Sequence, residues 1–271
     1  MTQWGSAFGI EPTESTPTAA DRWARAVDLG ARGYAAAART IVDRLLREAT
    51  VPAAVRSAAL ATRASLTRQA GGHAIARADD GAAIRAVAGD HGPWAVAARV
   101  DALIGLAADD LGVGDFTASG LLLDRAAAEL GAAESSDWIC VGRPRLRLGW
   151  VRTELALYTG DPRAAELAAN ARALSVGAPS ARHRIKTDLI AAAASAAAGD
   201  IGHAADEAQR LAAACRTAGL LPLEWAAQTM VAGLRPAAIG DRPPDRLQED
   251  LRRLGMAFRA LPSSDVTDRY A

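Results

Sequence analysis

GDPRAAELAANARAL, residues 160–174, opens on a dipeptide that the chain repeats. Gly-Asp recurs as Gly114-Asp115, Gly199-Asp200 and Gly240-Asp241, each between Ala/Leu-rich segments. Gly33 and Gly72 hold comparable places without the Asp, while Gly89-Asp90 falls out of phase. The six in-phase glycines are spaced by 39, 42, 46, 39 and 41 residues. A period near 40 is the mark of a helical repeat array, because each helix pair needs its neighbours to bury its apolar face.

Outward from that stretch, about twelve helices in six hairpins are expected and no strand. Half of the 271 residues are hydrophobic but only 4% are aromatic, a composition that favours helices over strands. Residues 18–261 form the expected repeat domain, with a leader at 1–17 and a tail at 262–271. The leader's only large apolar groups are Trp4, Phe8 and Ile10, expected to dock on the first helices. Thr18 is read as a helix N-cap, and Trp23, Ala26 and Val27 fall on one helix face. Asp79-Asp80-Gly81 is expected to interrupt the helical stretch from His73 to Val87, and Ser135, Ser136, Asp137 and Pro144 mark a break before a helix of about 145–159.

These residues resemble the tetratricopeptide repeat, a helix–turn–helix unit whose inner turn is commonly Gly-Asp plus an apolar residue, with a small residue three positions on. Gly114-Asp115-Phe116 with Ser119, Gly160-Asp161-Pro162 with Ala165, and Gly199-Asp200-Ile201 with Ala204 carry the resemblance; Gly33, Tyr34 and Ala38 follow it approximately. Gly ends the first helix in a left-handed conformation, Asp caps the second, and a small side chain lets the backbones approach. The period is longer than the family's, and the usual Trp-Leu-Gly-Tyr series is missing from the first helices. The resemblance implies an all-α, right-handed superhelix and a scaffold that binds proteins or peptides. The family's clamp for acidic chaperone tails also needs asparagines on first helices, whereas the only asparagine here, Asn170, lies on a second helix.

Bulk charge narrows the function. There are 31 basic and 31 acidic residues, which gives no global support for nucleic-acid or anionic-membrane binding. The longest nearly apolar stretch, Leu189 to Ala198, is about half a membrane span. Cys140 and Cys215 stand far apart and read as buried small hydrophobes in a reducing compartment. A soluble, cytoplasmic protein is expected. His73, His91, His183 and His203 are scattered without metal-ligand spacing, and no nucleophile or phosphate loop stands out. Neither catalysis nor a cofactor or metal is expected. Asp79-Asp80 and Asp109-Asp110 read as solvated helix ends.

One constellation is sharper. Arg143, Arg145 and Arg147 are followed 39 residues later by Arg182, Arg184 and Lys186, the same offset as Gly160 to Gly199. Register-equivalent residues of a stacked array share a surface. Cations at helix N-termini oppose the macrodipole, so a cluster there suggests an acidic partner. Trp150 would supply an aromatic wall and Arg152 an extension. The competing reading is a solvated face, with Arg184 pairing Asp188 and Arg147 reaching Glu154. The expectation is a non-catalytic adaptor or regulatory protein that binds a protein or acidic peptide through Arg143, Arg145, Arg147, Trp150, Arg182, Arg184 and Lys186. The alternative is a sensor for a small anionic effector held in a pocket between repeats. An open groove would favour the first, and a closed pocket with the basic residues converging within it the second. Leu247, Leu251, Leu254 and Met256 on the last helix make a second copy of the chain a candidate partner.

Overall fold

A computed structural model of the protein describes residues 18–131 and 137–259. The expected leader, the Ser135-Ser136 break and the tail lie outside the described residues. Among those described there are twelve α-helices and no strand. They are α1 (Ala19–Ala31), α2 (Ala35–Arg47), α3 (Ala53–Arg68), α4 (His73–Ala86), α5 (Pro93–Gly112) and α6 (Phe116–Gly131), followed by α7 (Arg143–Thr159), α8 (Ala164–Ser175), α9 (Ala181–Ala197), α10 (Ile201–Ala218), α11 (Leu221–Leu234) and α12 (Pro244–Arg253). None is long and apolar enough to cross a membrane.

The helix ends follow from their residues. Thr18 caps α1 in a reciprocal box: Asp21 N–H donates to Thr18 Oγ1 at 3.2 Å, and Thr18 N–H donates to Asp21 Oδ2 at 2.9 Å. Gly114, Gly160 and Gly199 all have positive φ, 85°, 66° and 95°, which a side chain would strain. Asp115 and Asp200 then accept from Ala118 N–H at 3.0 Å and His203 N–H at 3.3 Å, as N-caps do. Ser119 and Ala204 are fully buried where the paired helices touch.

Three local expectations are corrected. Asp161 accepts from Arg163 N–H at 2.9 Å, so Asp161-Pro162-Arg163 forms an extra turn and α8 starts only at Ala164. Its buried small residues are Ala164, Ala168, Ala171 and Ser175; Ala165 is exposed. Helix α4 runs unbroken through Asp79-Asp80-Gly81, because Asp80 turns inward against Gly105 rather than into a turn. Before α7, residues 138–142 wind as a single π-turn, with Asp137 capping Cys140 N–H at 2.7 Å and the Trp138 ring folded over Gly142. Helix α7 therefore begins at Arg143.

Successive helices pack in pairs, α1 with α2 through α11 with α12, and the odd-numbered helices from α1 to α11 also touch one another in order. Aliphatic side chains fill the seams: Val100, Leu103, Ile104 and Ala107 of α5 meet Leu123, Ala126 and Leu130 of α6 and Leu148 and Val151 of α7. Cys140 and Cys215 are buried free thiols, each pushed up to about 12 chiefly by burial. The far end of the described chain returns to the beginning. Leu251 and Met256 bury themselves with Ala35, Ala38, Leu66 and Ala70. Ala36 N–H donates to Leu254 O at 3.0 Å, and Arg259 N–H to Ala70 O at 2.9 Å. Leu247, Leu251 and Met256 are thus spent inside the chain rather than offered to a second copy.

Candidate functional site

Positions 143, 147, 150 and 154 follow i, i+4, i+7, i+11 spacing and share one face of α7; on α9, which packs against it, 182 and 186 are one turn apart, as are the adjacent 183 and 187. Between the helices Trp150 Nε1 donates to Thr187 Oγ1 at 2.8 Å, and Thr187 Oγ1 donates to His183 O at 2.8 Å. The His183 ring stacks on Trp150 with centroids 5.4 Å apart and meets Trp138 edge-on at 5.5 Å. Its Nδ1 lies 2.8 Å from Ser180 Oγ. Burial holds His183 well below the usual imidazole range, and Arg182, Arg143, Arg147 and Lys186 push it the same way. At neutral pH it is an uncharged packing ring.

The cations around this stack are unequally matched. Arg143 and Arg147 both donate to the one carboxylate of Asp101, on α5. Burial alone would raise Asp101, but those two guanidinium groups reverse it and keep the carboxyl below its usual range. Lys186 Nζ is 3.8 Å from Glu154 and 4.8 Å from the Trp150 ring centre. Its pKa is lowered by burial first, against Glu154, with Arg182, Arg147 and Arg68 adding to the fall. No ion pair joins Arg182 to a described residue; burial, then Arg147 and Arg143, pull it down to about 10, opposed by Asp28. Asp28 is itself engaged by Arg25 and Arg32, both at 3.2 Å.

A second charged knot borders the first. Arg68, at the end of α3, donates to Asp109 of α5 at 2.6 Å and to Asp80 of α4. Burial raises Asp80 to about 8 against the pull of Arg68, with the Asp109 carboxylate adding to the rise. Arg63 pairs with Asp79 at 2.7 Å, and Arg77 with Asp110 at 3.0 Å. Asp80, Asp109 and Asp110 are buried and bound to arginines, not solvated helix ends.

Of the seven residues singled out from sequence, the structure brings Arg143, Arg147, Trp150, Arg182 and Lys186 together and leaves Arg145 and Arg184 exposed elsewhere. The helix explains the split: i and i+4 share a face, while i+2 points away. Arg184 donates to Ala178 O rather than pairing with Asp188, which takes Arg172 at 3.1 Å. Arg147 takes Asp101 rather than Glu154, and Arg152 pairs with Asp124 at 2.9 Å. Asp101, Arg68, Asp80 and His183 were missed as members of the site. The one signal for Asp101 was an isolated acid at the head of the apolar ALIGLAA run, 102–108, of α5. In comparisons with protein-family models, with curated proteins and with solved structures, nothing matches this chain.

Proposed function

We propose that the chain is a tetratricopeptide-like, right-handed superhelix of six helical hairpins that serves as a non-catalytic, regulatory binding module in the cytoplasm. Its ligand is an anion received among the cations of α7 and α9. The superhelical reading is supported by pairing of each helix with the next, by contact between successive odd-numbered helices, and by left-handed glycines at three inner turns. One observation carries the ligand reading: Arg182, partly buried, has no carboxylate of its own and stands in the field of Arg147 and Lys186. A buried cation left uncompensated is costly, and an arriving anion removes that cost. The converging cations favour the small-effector alternative over a broad adaptor face. A surface adaptor is kept as the second reading because Arg145 and Arg184 are exposed in repeat register.

The two readings separate in one experiment. Protein recovered from its native cells under gentle conditions is examined by native mass spectrometry as wild type, Arg182→Glu/Lys186→Glu and Arg145→Glu/Arg184→Glu. A bound anionic species kept by the outer variant and lost by the folded inner variant supports the anion module. A macromolecular partner lost only from the outer variant turns the assignment to the adaptor.

A further inference from the structure

Helix α2 begins without a side-chain cap, since Tyr34 at its N-cap makes no such bond. Its first-turn donor Ala36 N–H is met instead by Leu254 O, from the far end of the described chain. Further along the same segment, Arg259 N–H donates to Ala70 O, just past the last turn of α3. Between them Arg39 Nη1 donates to Gly255 O. These bonds all use the main chain of 254–259, which any non-helical peptide presents. Side chains add selectivity. Met256 is buried and Phe258 half-buried against Trp225, while Ala257 and Arg259 face solvent. Gly255 has no room for a side chain beside Ala36. The seat therefore asks for a glycine, a long aliphatic side chain, any residue and an aromatic ring, in that order.

Helix α12 and this strap join α11 through residues 235–243, none of them buried. Charge ties the link down. Glu224, buried on α11, takes Arg216 of α10 at 3.1 Å and Arg242 of the link at 3.3 Å, and Arg216 also meets Asp241 at 3.2 Å. Were Arg242 to leave, Glu224 would keep Arg216, so the link can open without stranding a buried carboxylate. Opening bares Ala35, Ala38, Leu66 and Ala70 together with Ala36 N–H and Ala70 O, while the other helices keep their neighbours. We propose that residues 244–259 are an autoinhibitory latch. They fill a peptide-binding seat on α2 and α3, and swing out about 235–243 to admit a partner segment of the glycine–aliphatic–any–aromatic type. Tethered in place, the latch competes at an effective concentration on the order of millimolar, so the seat is masked until the latch is loosened. The cations of α7 and α9 play no part in it.

The probe is a fluorescent synthetic peptide of residues 250–259, titrated by anisotropy into the full chain. Wild type is compared with Arg242→Glu, which sets a carboxylate against Glu224, and hydrogen exchange on the same proteins reads the latch directly. The variant is expected to exchange the amides of α12 at least about tenfold faster, with those of α5 through α8 unchanged. It is also expected to bind the peptide at least about tenfold more tightly than wild type. A peptide carrying Gly255→Val is expected not to bind. Should Arg242→Glu fail to fold, Phe258→Ala replaces it, loosening the strap from Trp225 while leaving the seat on α2 and α3 intact. The proposal is overturned if α12 amides exchange only together with those of the whole molecule. It is equally overturned if the peptide fails to bind once α12 has been freed, or if the Gly255→Val peptide binds as well as the native one.

Discussion

Gly105 on α5 lies against the carboxyl group of Asp80: a methyl group there would sit 2.7 Å from Cγ of that buried side chain. Gly112, one helix end away, faces the His73 ring just as closely, but that ring is partly exposed and has room to swing out. Gly105→Ala is therefore expected to cost about 1–3 kcal/mol in urea unfolding, and Gly112→Ala clearly less. Asp80 has a second consequence. Its raised pKa means that the folded state binds a proton which the unfolded chain releases near pH 4, so its contribution is full below that value and is lost as pH rises through about 8. Asp80→Asn is expected to flatten the fall in stability between about pH 4 and pH 8. Either Asp80→Asn or Asp109→Asn alone leaves Arg68 one carboxylate. The double change leaves it none and is expected to cost about 3–5 kcal/mol, well above the sum of the singles. A sequence does not disclose such bonds, since Asp109 lies 41 residues from Arg68. Only the residue types were visible, and paired aspartates look alike whether solvated or buried.

At the scale of the helix, what could be read depended on whether the signal was local. Left-handed glycines and capping aspartates act within three or four residues, so the turns at Gly114, Gly160 and Gly199 were legible. Asp200→Ala, which removes the bond to His203 N–H, is expected to cost about 1 kcal/mol by chemical denaturation. Gly160→Ala, whose added methyl group meets nothing within 4 Å, should cost a similar 1–2 kcal/mol through backbone strain alone. Equal stability of Gly160→Ala with wild type would mean that the turn between α7 and α8 is too loose to set the helix boundary, and of Asp200→Ala the same for the turn between α9 and α10. The basic triplets were misread for a related reason. A repeat offset of 39 residues does match Arg143 to Arg182 and Arg147 to Lys186 on the touching helices α7 and α9, but spacing within each triplet obeys the helix, which turns its middle member outward.

Across the whole molecule, the least legible contact is the one between the chain's described ends. Ala36 and Leu254 are bonded across more than two hundred residues, and no period in the sequence announces it. Close fit holds the C-terminal segment there: Gly255 has φ 94°, and a Cβ would stand 2.8 Å from Ala36 N. Arg39 Nη1 also donates to Gly255 O at 2.9 Å, and Phe258 packs edge-on against Trp225 with ring centres 5.1 Å apart. Gly255→Val adds both a strained backbone and a clash with backbone atoms that cannot swing aside. In a stacked array each pair of helices depends mainly on its neighbours. The expected result of hydrogen exchange is therefore regional: amides of α2, the end of α3 and α12 lose protection, while α5 through α8 keep theirs. Loss spread evenly over all twelve helices would instead show that the ends lock the molecule into one cooperative unit. In that case the cation cluster between α7 and α9 would feel a change made at Gly255, far along the chain from either helix.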